Sequence, residues 1–354
     1  MKNLIIDPLV HFPTAYKMFA DADYYCEDKD LPAPGDVEYG LQRHLGLTRA
    51  DIKNIYDFEP VELSNLEDHY EKIIIVFPLN YIDDPGTSKW DTMESTPRDE
   101  SEKAQKYFLF LKNLISKINY KNLIIIDGND RATLMEGEMW LRQNDFPFDI
   151  ILKREYRHTY YSTYPLNAYP FPFQTFGNKN PTWRFFEEKK KGSERVNGCF
   201  WSGGPIYHFP PGKRDEWCNR KDTLMTIQNN IIIETGIPQD EFMDRFNKYK
   251  SFLHLNGTGH LCARFFEGLS RDSLMIMEKM DTVFPFENRD WWHEECVFEY
   301  PLEFIEKINR ILSDEKLYNE CLDRQNYIVE KYYNYDWINQ YVNSCLEAQR
   351  LTTE

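Results

Sequence analysis

The segment HLNGTGHLCARFFEGLSRDSLMIME, residues 254 to 278, contains a turn, a helix and a strand in succession. Residues three, four and seven apart lie on the same face of a helix. An apolar stripe at these spacings consists of Cys262, Phe265, Phe266 and Leu269. The opposite stripe is polar and consists of His260, Arg264, Glu267 and Arg271. The pattern predicts a piece of an α/β layer that carries charged residues at one edge.

The residues on both sides of this helix also have recognisable patterns. Residues 256 to 259 (NGTG) form a glycine turn suited to a helix start, where free N–H groups attract anions. Residues 273 to 277 are predicted to form a short buried strand. The alternative is a solvated helix face on which Arg264 and Glu267, one turn apart, form an ion pair. The segment alone does not decide between these two interpretations.

The composition predicts a globular protein with two domains of ordinary size. The 354 residues include 16% aromatic residues, which supply ample core material. The net charge of -16 and the pI near 5.1 argue against a general nucleic-acid binder. From residue 153 to 221, 13 basic against 6 acidic residues give +7, so the remainder carries -23. This basic middle segment favours a local anionic ligand such as a phosphate; a lysine-rich surface loop is the alternative.

Cysteine usage and hydropathy indicate the compartment. The 7 cysteines are scattered and form no C-x-x-C pair, which predicts reduced thiols and no zinc site. The N-terminal stretch MKNLIIDPLVHFP lacks the apolar core of a signal peptide, and no run approaches the ~18 apolar residues of a membrane span. We therefore expect a soluble, cytoplasmic protein without a transmembrane segment, with peripheral membrane contact left open.

Apolar runs alternate with helical patterns in the first half of the chain. Residues 3–6, 72–77, 122–126 and 148–153 are predicted to be strands, the later ones separated by helices. This alternation predicts a doubly wound α/β domain. The stretch from Tyr156 to Pro181 is rich in Tyr, Phe and Pro and has no helical period. It predicts a long structured crossing with a domain boundary near residues 178 to 195.

The alternation resumes in the second half and ends in three helices. Strands are predicted at residues 197–204, 231–234 and 251–255, and the last helices at residues 302–312, 314–332 and 335–349. The predicted domains are residues 1–180 and 195–334, followed by a C-terminal helix over 335–354. Two such domains place a cleft at the carboxyl ends of their strands. The chain contains no strict phosphate-loop or dinucleotide pattern, which disfavours a hydride-transfer enzyme.

The order of motifs in the second half resembles a known family. YKSFLHLNGTGHLCARFFEGLSRDSLMIME, an aromatic linker and VFEYPLEFIEKINRILSDEKLYNECLDRQNYIVEKYYN resemble the donor-binding half of GT-B glycosyltransferases. The resemblance is closest to the CAP10-like protein O-glucosyltransferase and exostosin-like groups. It covers about residues 197 to 334, while the first half matches only loosely, through IIIDGNDR and ILKREY followed by YPFPF.

The resemblance implies a fold and an activity. The fold has two Rossmann-like domains facing a cleft and a C-terminal helix that crosses back to the N-terminal domain. The N-terminal domain binds the acceptor, a glycan or glycoprotein hydroxyl, and the C-terminal domain binds a nucleotide-diphosphate sugar, a UDP- or GDP-sugar. No metal or other cofactor is implied, because a positive site stabilises the leaving diphosphate instead.

The same resemblance implies donor-binding residues. Arg264 is expected to meet the diphosphate through its bidentate fork, Glu267 a ribose or sugar hydroxyl, and Ser273 is expected to make a backbone contact. The turn CFWSGG and the downstream GKRDEWCNRKDTL add a second group. The full set is Arg264, Glu267, Gly257, Ser273, Ser202, Gly203 and Arg214. Where relatives often have Arg-Gly-Ser in the turn, this chain has Trp-Ser-Gly-Gly at residues 201 to 204.

Candidates for the catalytic base follow predicted strands of the first half. Asp7 and His11 come after the first strand, where inverting GT-B enzymes often place the base that deprotonates the acceptor. A structural role is the alternative for both. Asp127 and Asp130 end another strand, and a helix N-cap is the alternative role for either of them.

Further polar and aromatic groups have competing interpretations. Lys153, Arg154 and Arg157 could meet an anionic ligand, although a basic edge paired with Glu155 is favoured. Residues 291 to 293 (WWH) could stack on a base or a sugar, or could cap the core.

Two rival functions stay open. The first is a non-catalytic carbohydrate-binding or scaffold protein that retains the fold. The second is a metal-dependent glycosyltransferase that uses the D-x-D sequence of Asp21 and Asp23, although no convincing strand precedes it. In a chain with 58 acidic residues such a spacing arises by chance.

Overall fold

The structure is a computed structural model of the whole chain and divides into two compact units. The first unit comprises Met1–Pro181 and Ile338–Glu354, and the second comprises Thr182–Trp337. The structure describes residues 2–8, 15–19, 21–26, 49–77, 79, 98–128, 135–173, 195–202, 220–237, 239–256, 260–261, 263–271, 273–287 and 291–353. Each unit contains a parallel β-sheet with helices between its strands, so the predicted α/β class is confirmed.

The first unit contains a six-stranded sheet in the order β2-β1-β3-β4-β5-β6, with all neighbours parallel. The strands are β1 (Asn3–Ile6), β2 (Ala22–Tyr25), β3 (His69–Val76), β4 (Asn119–Asp127), β5 (Ile150–Lys153) and β6 (Ala168–Pro170). The runs Ile73–Ile75 and Ile124–Ile126 are fully buried. Continuous apolar runs of this kind are expected where a parallel sheet is covered on both faces.

The helices of the first unit include the end of the chain. In the described residues they are α1 (Ala15–Met18), α2 (Arg49–Tyr56), α3 (Arg98–Ile115), α4 (Met135–Gln143) and, from Ile338 onward, α10 (Tyr335–Thr353). Ile338 and Val342 of α10 are fully buried, and the Tyr341 hydroxyl donates a 2.7 Å hydrogen bond to the carbonyl oxygen of Pro170, the last residue of β6. These contacts are the ones that the predicted return of the last helix requires.

The second unit contains a five-stranded parallel sheet in the order β11-β10-β9-β7-β8. The strands are β7 (Val196–Trp201), β8 (Ile232–Ile233), β9 (Tyr249–His254), β10 (Leu274–Glu278) and β11 (Val297–Phe298). The helices are α5 (Arg220–Ile227), α6 (Gln239–Lys248), α7 (Ala263–Leu269), α8 (Pro301–Ser313) and α9 (Glu315–Tyr332). Proline opens α8, and the Asp314 carboxylate caps α9 by accepting from the N–H groups of Lys316 and Leu317.

A glycine lets α7 approach the sheet closely. A Cβ atom at Gly268 would lie 2.0 Å from the ring of Phe252 on β9, well inside van der Waals contact. Phe252 is buried, so its ring cannot swing into solvent. Only glycine therefore allows α7 to pack in this position, and the position of α7 sets the position of Arg264 and Glu267.

The sequence patterns missed five short elements of the described chain, α1, α2, β2, β6 and β11. The β2 strand begins at Ala22, inside the D-x-D sequence, and follows Asp21, whose backbone is in the left-handed region (φ 57°). The β6 strand has three residues and ends in Pro170. Both lie at the edges of the first sheet. A strand at an edge pairs with only one neighbour, so its sequence does not need the continuous apolar run of a central strand.

The described cysteines are reduced and lie in the interior. Cys26, Cys199, Cys296, Cys321 and Cys345 are free and buried. In the described part of the chain no helix is both long and apolar enough to cross a bilayer.

Burial gives Cys199 on β7 a measurable effect on stability. Loss of solvation raises the pKa of its thiol to about 12, and the hydrogen bond from Ser251 opposes this only partly. The thiol of the unfolded chain ionises near its ordinary pKa of about 8.5. The contribution of the buried, protonated Cys199 thiol to the free energy of unfolding is therefore fully present below the pKa of the unfolded chain. It is lost as the pH rises toward the pKa of the thiol in the folded protein.

We expect the stability difference between the natural chain and Cys199→Ala to shrink by about 1.4 kcal/mol for each pH unit above roughly pH 9. Urea denaturation of both proteins between about pH 8 and about pH 10.5 measures this difference. A difference that stays constant over that range would show that the thiol ionises equally easily in both states.

Candidate active site

Each sheet has one point at which the strand order reverses. In the first unit the chain passes from β1 to β2 on one side and then to β3 on the other side of β1. In the second unit it passes from β7 to β8 and then to β9 on the other side of β7. Open α/β sheets bind ligands at the carboxyl ends of the strands at such a reversal. The two candidate regions are therefore the ends of β1 and β3, and the ends of β7 and β9.

Asp7 lies at the reversal point of the first sheet. It directly follows β1 and is fully buried, and its Oδ2 accepts a 2.7 Å hydrogen bond from the hydroxyl of Tyr24. Burial, followed by the nearby Asp7 carboxylate, raises the pKa of Tyr24 well above its ordinary value. Tyr24 therefore stays a hydrogen-bond donor that orients Asp7. His11 lies outside the described residues.

Asp127 forms a buried ion pair at the end of β4. Its Oδ2 lies 2.8 Å from Nζ of Lys153, the neighbouring residue at the end of β5, and both side chains have no exposed surface. Its Oδ1 accepts from the N–H group of Leu79 at 3.2 Å, beyond the end of β3. The carboxylate thus ties the ends of three adjacent strands together. Asp130 lies outside the described residues.

The basic residues after β5 are buried and accompanied by acids. Arg154 and Arg157 are 2% and 3% exposed, and Glu155 is fully buried, with Arg157 Nη2 3.6 Å from its Oε2. This pairing agrees with the favoured prediction of a basic edge compensated by acids. A buried charge must be compensated in this way because leaving water costs several kcal/mol.

The reversal point of the second sheet lies beside a buried asparagine that the sequence analysis did not single out. Asn256, two residues beyond β9, donates its N–H to Glu278 Oε2 at 3.0 Å and its Nδ2 to the carbonyl oxygen of Lys279 at 3.0 Å. Its Oδ1 is buried and has no hydrogen-bond partner among the described residues. Ser202 lies buried at the end of β7, next to β9. Gly203, Arg214 and Gly257 lie outside the described residues.

Two histidines connect the end of β9 with the start of the chain before α7. Nε2 of His254, the last residue of β9, donates to the carbonyl oxygen of His260 at 2.7 Å. Nδ1 of His260 accepts from the N–H group of Asp281 at 3.1 Å. This arrangement requires His260 Nδ1 to carry no proton. His260 is consequently bonded both to the last residue of β9 and to the chain that follows β10.

Arg264 lies in the first turn of α7, half-buried, with its guanidinium carbon 5.5 Å from the ring centre of Phe242 on α6. It forms no ion pair with any described residue, and its Nε is buried without a hydrogen-bond partner. The ion pair with Glu267 that the sequence left open is absent. Glu267 follows one turn later and is 7% exposed. Phe242 had no signal in the sequence, because its contact with Arg264 joins two helices 22 positions apart.

Ser273 is separated from the other predicted donor-binding residues. It precedes β10, at the amino end of the sheet, whereas Ser202 and Asn256 lie at the carboxyl end. Its hydroxyl donates to the carbonyl oxygen of Tyr249 at 3.2 Å, and its own carbonyl accepts from Gln325 at 2.9 Å. Ser273 therefore links β9, β10 and α9.

The aromatic segment 291–293 packs against the core. Trp292 is 4% exposed and meets the ring of Phe265 edge-on at 6.0 Å. His293 caps a short 3₁₀ helix by accepting from the N–H group of Glu295. Of the two interpretations of this segment, the geometry favours the core cap.

The D-x-D sequence lies at the other end of the first sheet. Asp21 precedes β2, and its carbonyl accepts from the N–H group of Asn3 at the start of β1. Asp23 accepts from Lys2 at 3.3 Å and from the Tyr70 hydroxyl at 2.9 Å. Both residues are thus at the amino ends of the strands, away from the reversal point.

Solved structures of glycosyltransferases match the chain over nearly its full length. A β-glucosyltransferase of phage T4 in complex with UDP-glucose is 11% identical with a TM-score of 0.49, over 98% of this chain and 99% of that chain. An O-GlcNAc transferase variant of Thermobaculum terrenum is 8% identical with a TM-score of 0.47, over 100% of this chain and 69% of that chain.

The phage T4 enzyme in complex with UDP and Mn²⁺ is 10% identical with a TM-score of 0.47, over 98% of this chain and 99% of that chain. No family model and no curated protein matches the chain. At these identities and TM-scores no equivalence between residues is defined, so the assignment of sites depends on the contacts of this chain itself.

We expect Lys153→Met to lower the free energy of unfolding by about 3–5 kcal/mol, because Asp127 is left as a buried charge without its partner. The double variant Asp127→Leu with Lys153→Met should recover most of the loss, since neither charge remains. Urea denaturation measures both effects. The control is Lys316→Met, which removes an exposed pair with Glu320 and should cost less than about 1 kcal/mol. An equally small effect for Lys153→Met would mean that Asp127 does not depend on this pair.

Proposed function

We propose that this chain is a GT-B glycosyltransferase that transfers a sugar from a nucleotide-diphosphate sugar to a hydroxyl group of a glycan or glycoprotein. The observation that carries the proposal is Arg264, a half-buried guanidinium near the reversal point of the second sheet that stacks on Phe242 and has no acidic partner among the described residues. A half-buried arginine with a structural role is usually neutralised by a carboxylate. One that is held by an aromatic ring alone keeps its charge for a ligand.

The reaction requires a positive group on the donor side. The acceptor oxygen attacks the anomeric carbon, the bond from that carbon to the diphosphate oxygen breaks, and the diphosphate leaves with the bonding electrons. Arg264 would bind the leaving diphosphate through two parallel N–H groups, where charge develops in the transition state. The open Oδ1 of Asn256 would accept from a donor hydroxyl, a role also proposed for Glu267.

The proton of the acceptor hydroxyl needs a base, which we place in the first unit. Asp7 is the described candidate, because it lies at the reversal point and Tyr24 orients its carboxylate. His11, four residues further on, is the second candidate. Asp127 is occupied by Lys153 and Leu79 and would position the strand ends instead of accepting the proton.

A non-catalytic carbohydrate-binding protein is the second candidate function. It is favoured by the turn at residues 201–204, which lacks the arginine that the resembled families often carry. A protein of this kind would bind nucleotide sugars weakly and would not turn them over.

We expect Arg264→Met to weaken UDP or GDP binding by roughly 10- to 100-fold, because a charge-assisted hydrogen bond contributes about 1.5–3 kcal/mol. Methionine keeps the packing on Phe242, so the melting temperature should change little. Isothermal titration calorimetry measures the affinity, and Arg324→Met, on α9, is the matched arginine control. Equal nucleotide affinity in Arg264→Met and in the natural chain would exclude this diphosphate site.

Metal independence is the further expectation. Once a panel of nucleotide sugars identifies the donor, its turnover should survive EDTA, because Arg264 stabilises the leaving group in place of a cation. The control is a parallel assay with added Mn²⁺. Loss of turnover in EDTA that Mn²⁺ restores would favour the metal-dependent alternative, whereas binding without turnover would favour the non-catalytic one.

A further inference from the structure

The first unit contains a cavity at the end of its sheet opposite to Asp7. Its volume is about 400 Å³, within the range of roughly 300–1,000 Å³ that is typical of small-molecule pockets. Two of its lining residues, Asp149 and Asn167, directly precede β5 and β6, at the amino ends of the strands. Asp7 and Asp127 lie at the carboxyl ends of the same sheet. The cavity is therefore separate from the candidate active site.

The charged groups of the cavity compensate one another. Among the described residues that line it, Arg142 and Arg350 are basic and Asp149 is acidic. Arg142 also forms an ion pair with Glu138, one turn earlier on α4. Two positive groups therefore face two negative ones. An uncharged ligand fits this environment better than an anion, because an anion would lose its hydration without gaining a cation that lacks a counter-charge.

A hydrogen-bond network holds planar polar groups at the cavity wall. Arg142 Nη2 donates to Asn167 Oδ1 at 3.3 Å, and Asn167 Nδ2 donates to the carbonyl oxygen of Asp149 at 3.0 Å. Arg350 Nη2 donates to Asn122 Oδ1 at 3.1 Å. The two asparagines are 6% and 7% exposed, so the fold fixes their orientation.

This wall offers both donors and acceptors to a ligand. A guanidinium carries five N–H donors, whereas an amide or carboxylate oxygen accepts up to two hydrogen bonds. A hydroxyl group can bond to either kind of group, because it donates and accepts. A molecule with several hydroxyls therefore suits the wall better than one with acceptors alone.

The rest of the wall is apolar. Phe148, Leu166 and Leu346 line the cavity beside the polar network. The ring of Phe148 is half-buried, and its centre lies 5.3 Å from the guanidinium carbon of Arg142. Leu166 is 92% exposed at the rim of the cavity. A ligand with an apolar face would remove part of Leu166 from water, which is favourable.

A pyranose sugar combines these two properties. Its hydroxyls project around the edge of the ring, and its C–H bonds form an apolar face that packs on aromatic and aliphatic side chains. We propose that this cavity binds a neutral mono- or disaccharide. The hydroxyls bond to the arginines and asparagines of the network, and the C–H face packs on Phe148 and Leu166. The proposal goes beyond glycosyl transfer, since this site and its test involve neither a nucleotide nor turnover.

The test uses maltose, cellobiose and N,N′-diacetylchitobiose as probes with the full-length chain. Isothermal titration calorimetry should detect binding of at least one of them at millimolar concentration. Sorbitol has the hydroxyls but no rigid ring with an apolar face, so it should bind far more weakly. Benzoate tests for an anion site and should also bind more weakly than the disaccharide.

A matched pair of leucine variants locates the binding. Leu166→Ala removes an exposed side chain of the lining and should weaken the disaccharide by about three- to tenfold. Leu351→Ala is the control, because Leu351 is 77% exposed, lies next to Arg350 and is outside the lining. It should bind the disaccharide like the natural chain. Both positions are exposed, so both variants should keep the melting temperature of the natural chain.

Variants of the aromatic wall test the packing of the sugar ring. Phe148→Leu should weaken the disaccharide by about tenfold, whereas Phe148→Trp retains an aromatic face and should bind it. Tyr161→Leu is the control, because Tyr161 is a 68% exposed aromatic residue of the same unit outside the lining.

Three results would overturn the proposal. They are the failure of all three disaccharides to bind, binding of sorbitol or benzoate as tight as that of the disaccharide, and equal affinities in Leu166→Ala and Leu351→Ala. The outcome is independent of the proposed transferase activity, because Arg264→Met should leave disaccharide binding at this cavity unchanged. Loss of nucleotide binding in that variant therefore tests only the donor site.

Discussion

Parallel strand pairing is the constraint on which both units of this protein depend. Parallel neighbours cannot be joined by a hairpin, so each connection returns over a face of the sheet, usually as a helix. This covers both faces with apolar contacts and collects the turns after the strands at one end of each sheet. Each sheet also has one point at which the strand order reverses, and in open α/β folds the connections on the two sides of such a point run to opposite faces and leave a gap at the strand ends. Asp7 and Asn256 lie beside these gaps for that reason.

The chain treats its buried charges in two different ways. Lys153 and Asp127 neutralise each other without any exposed surface, and their pairing joins the ends of neighbouring strands. Arg264 is only half-buried and meets an aromatic ring instead of a carboxylate. A buried charge that is neutralised by an opposite charge usually has a structural role, whereas a charge without an ionic partner is available to a ligand. The two environments therefore distinguish the structural pair Asp127–Lys153 from Arg264, the candidate binding group.

The two ends of the first sheet also differ in chemistry. The carboxyl ends hold buried charges in direct contact, as at Asp127 and Lys153. At the amino ends Arg142 and Arg350 donate to the amide oxygens of Asn167 and Asn122, and Arg142 also pairs with Glu138. The last helix reaches the second of these regions, since Arg350 bonds to Asn122 of β4. A residue near the end of the chain and one in the middle of a strand are thus joined by a hydrogen bond. Such a contact has no sequence signature, because its two residues are 228 positions apart.

The sequence by itself determined the α/β class, the main strands and the long helices, because continuous apolar runs and helical periodicity are local properties. It also identified Arg264, Asp7 and Asp127 as the polar residues next to strand ends or in a glycine-flanked helix. Only the tertiary structure decided their surroundings: the ring of Phe242 beside Arg264, the pairing of Asp127 with Lys153, and the position of Ser273 at the amino end of its sheet. The edge strands β2 and β6 were likewise set by their neighbours. Partners distant along the chain are selected by strand order and packing, and neither leaves a local pattern in the sequence.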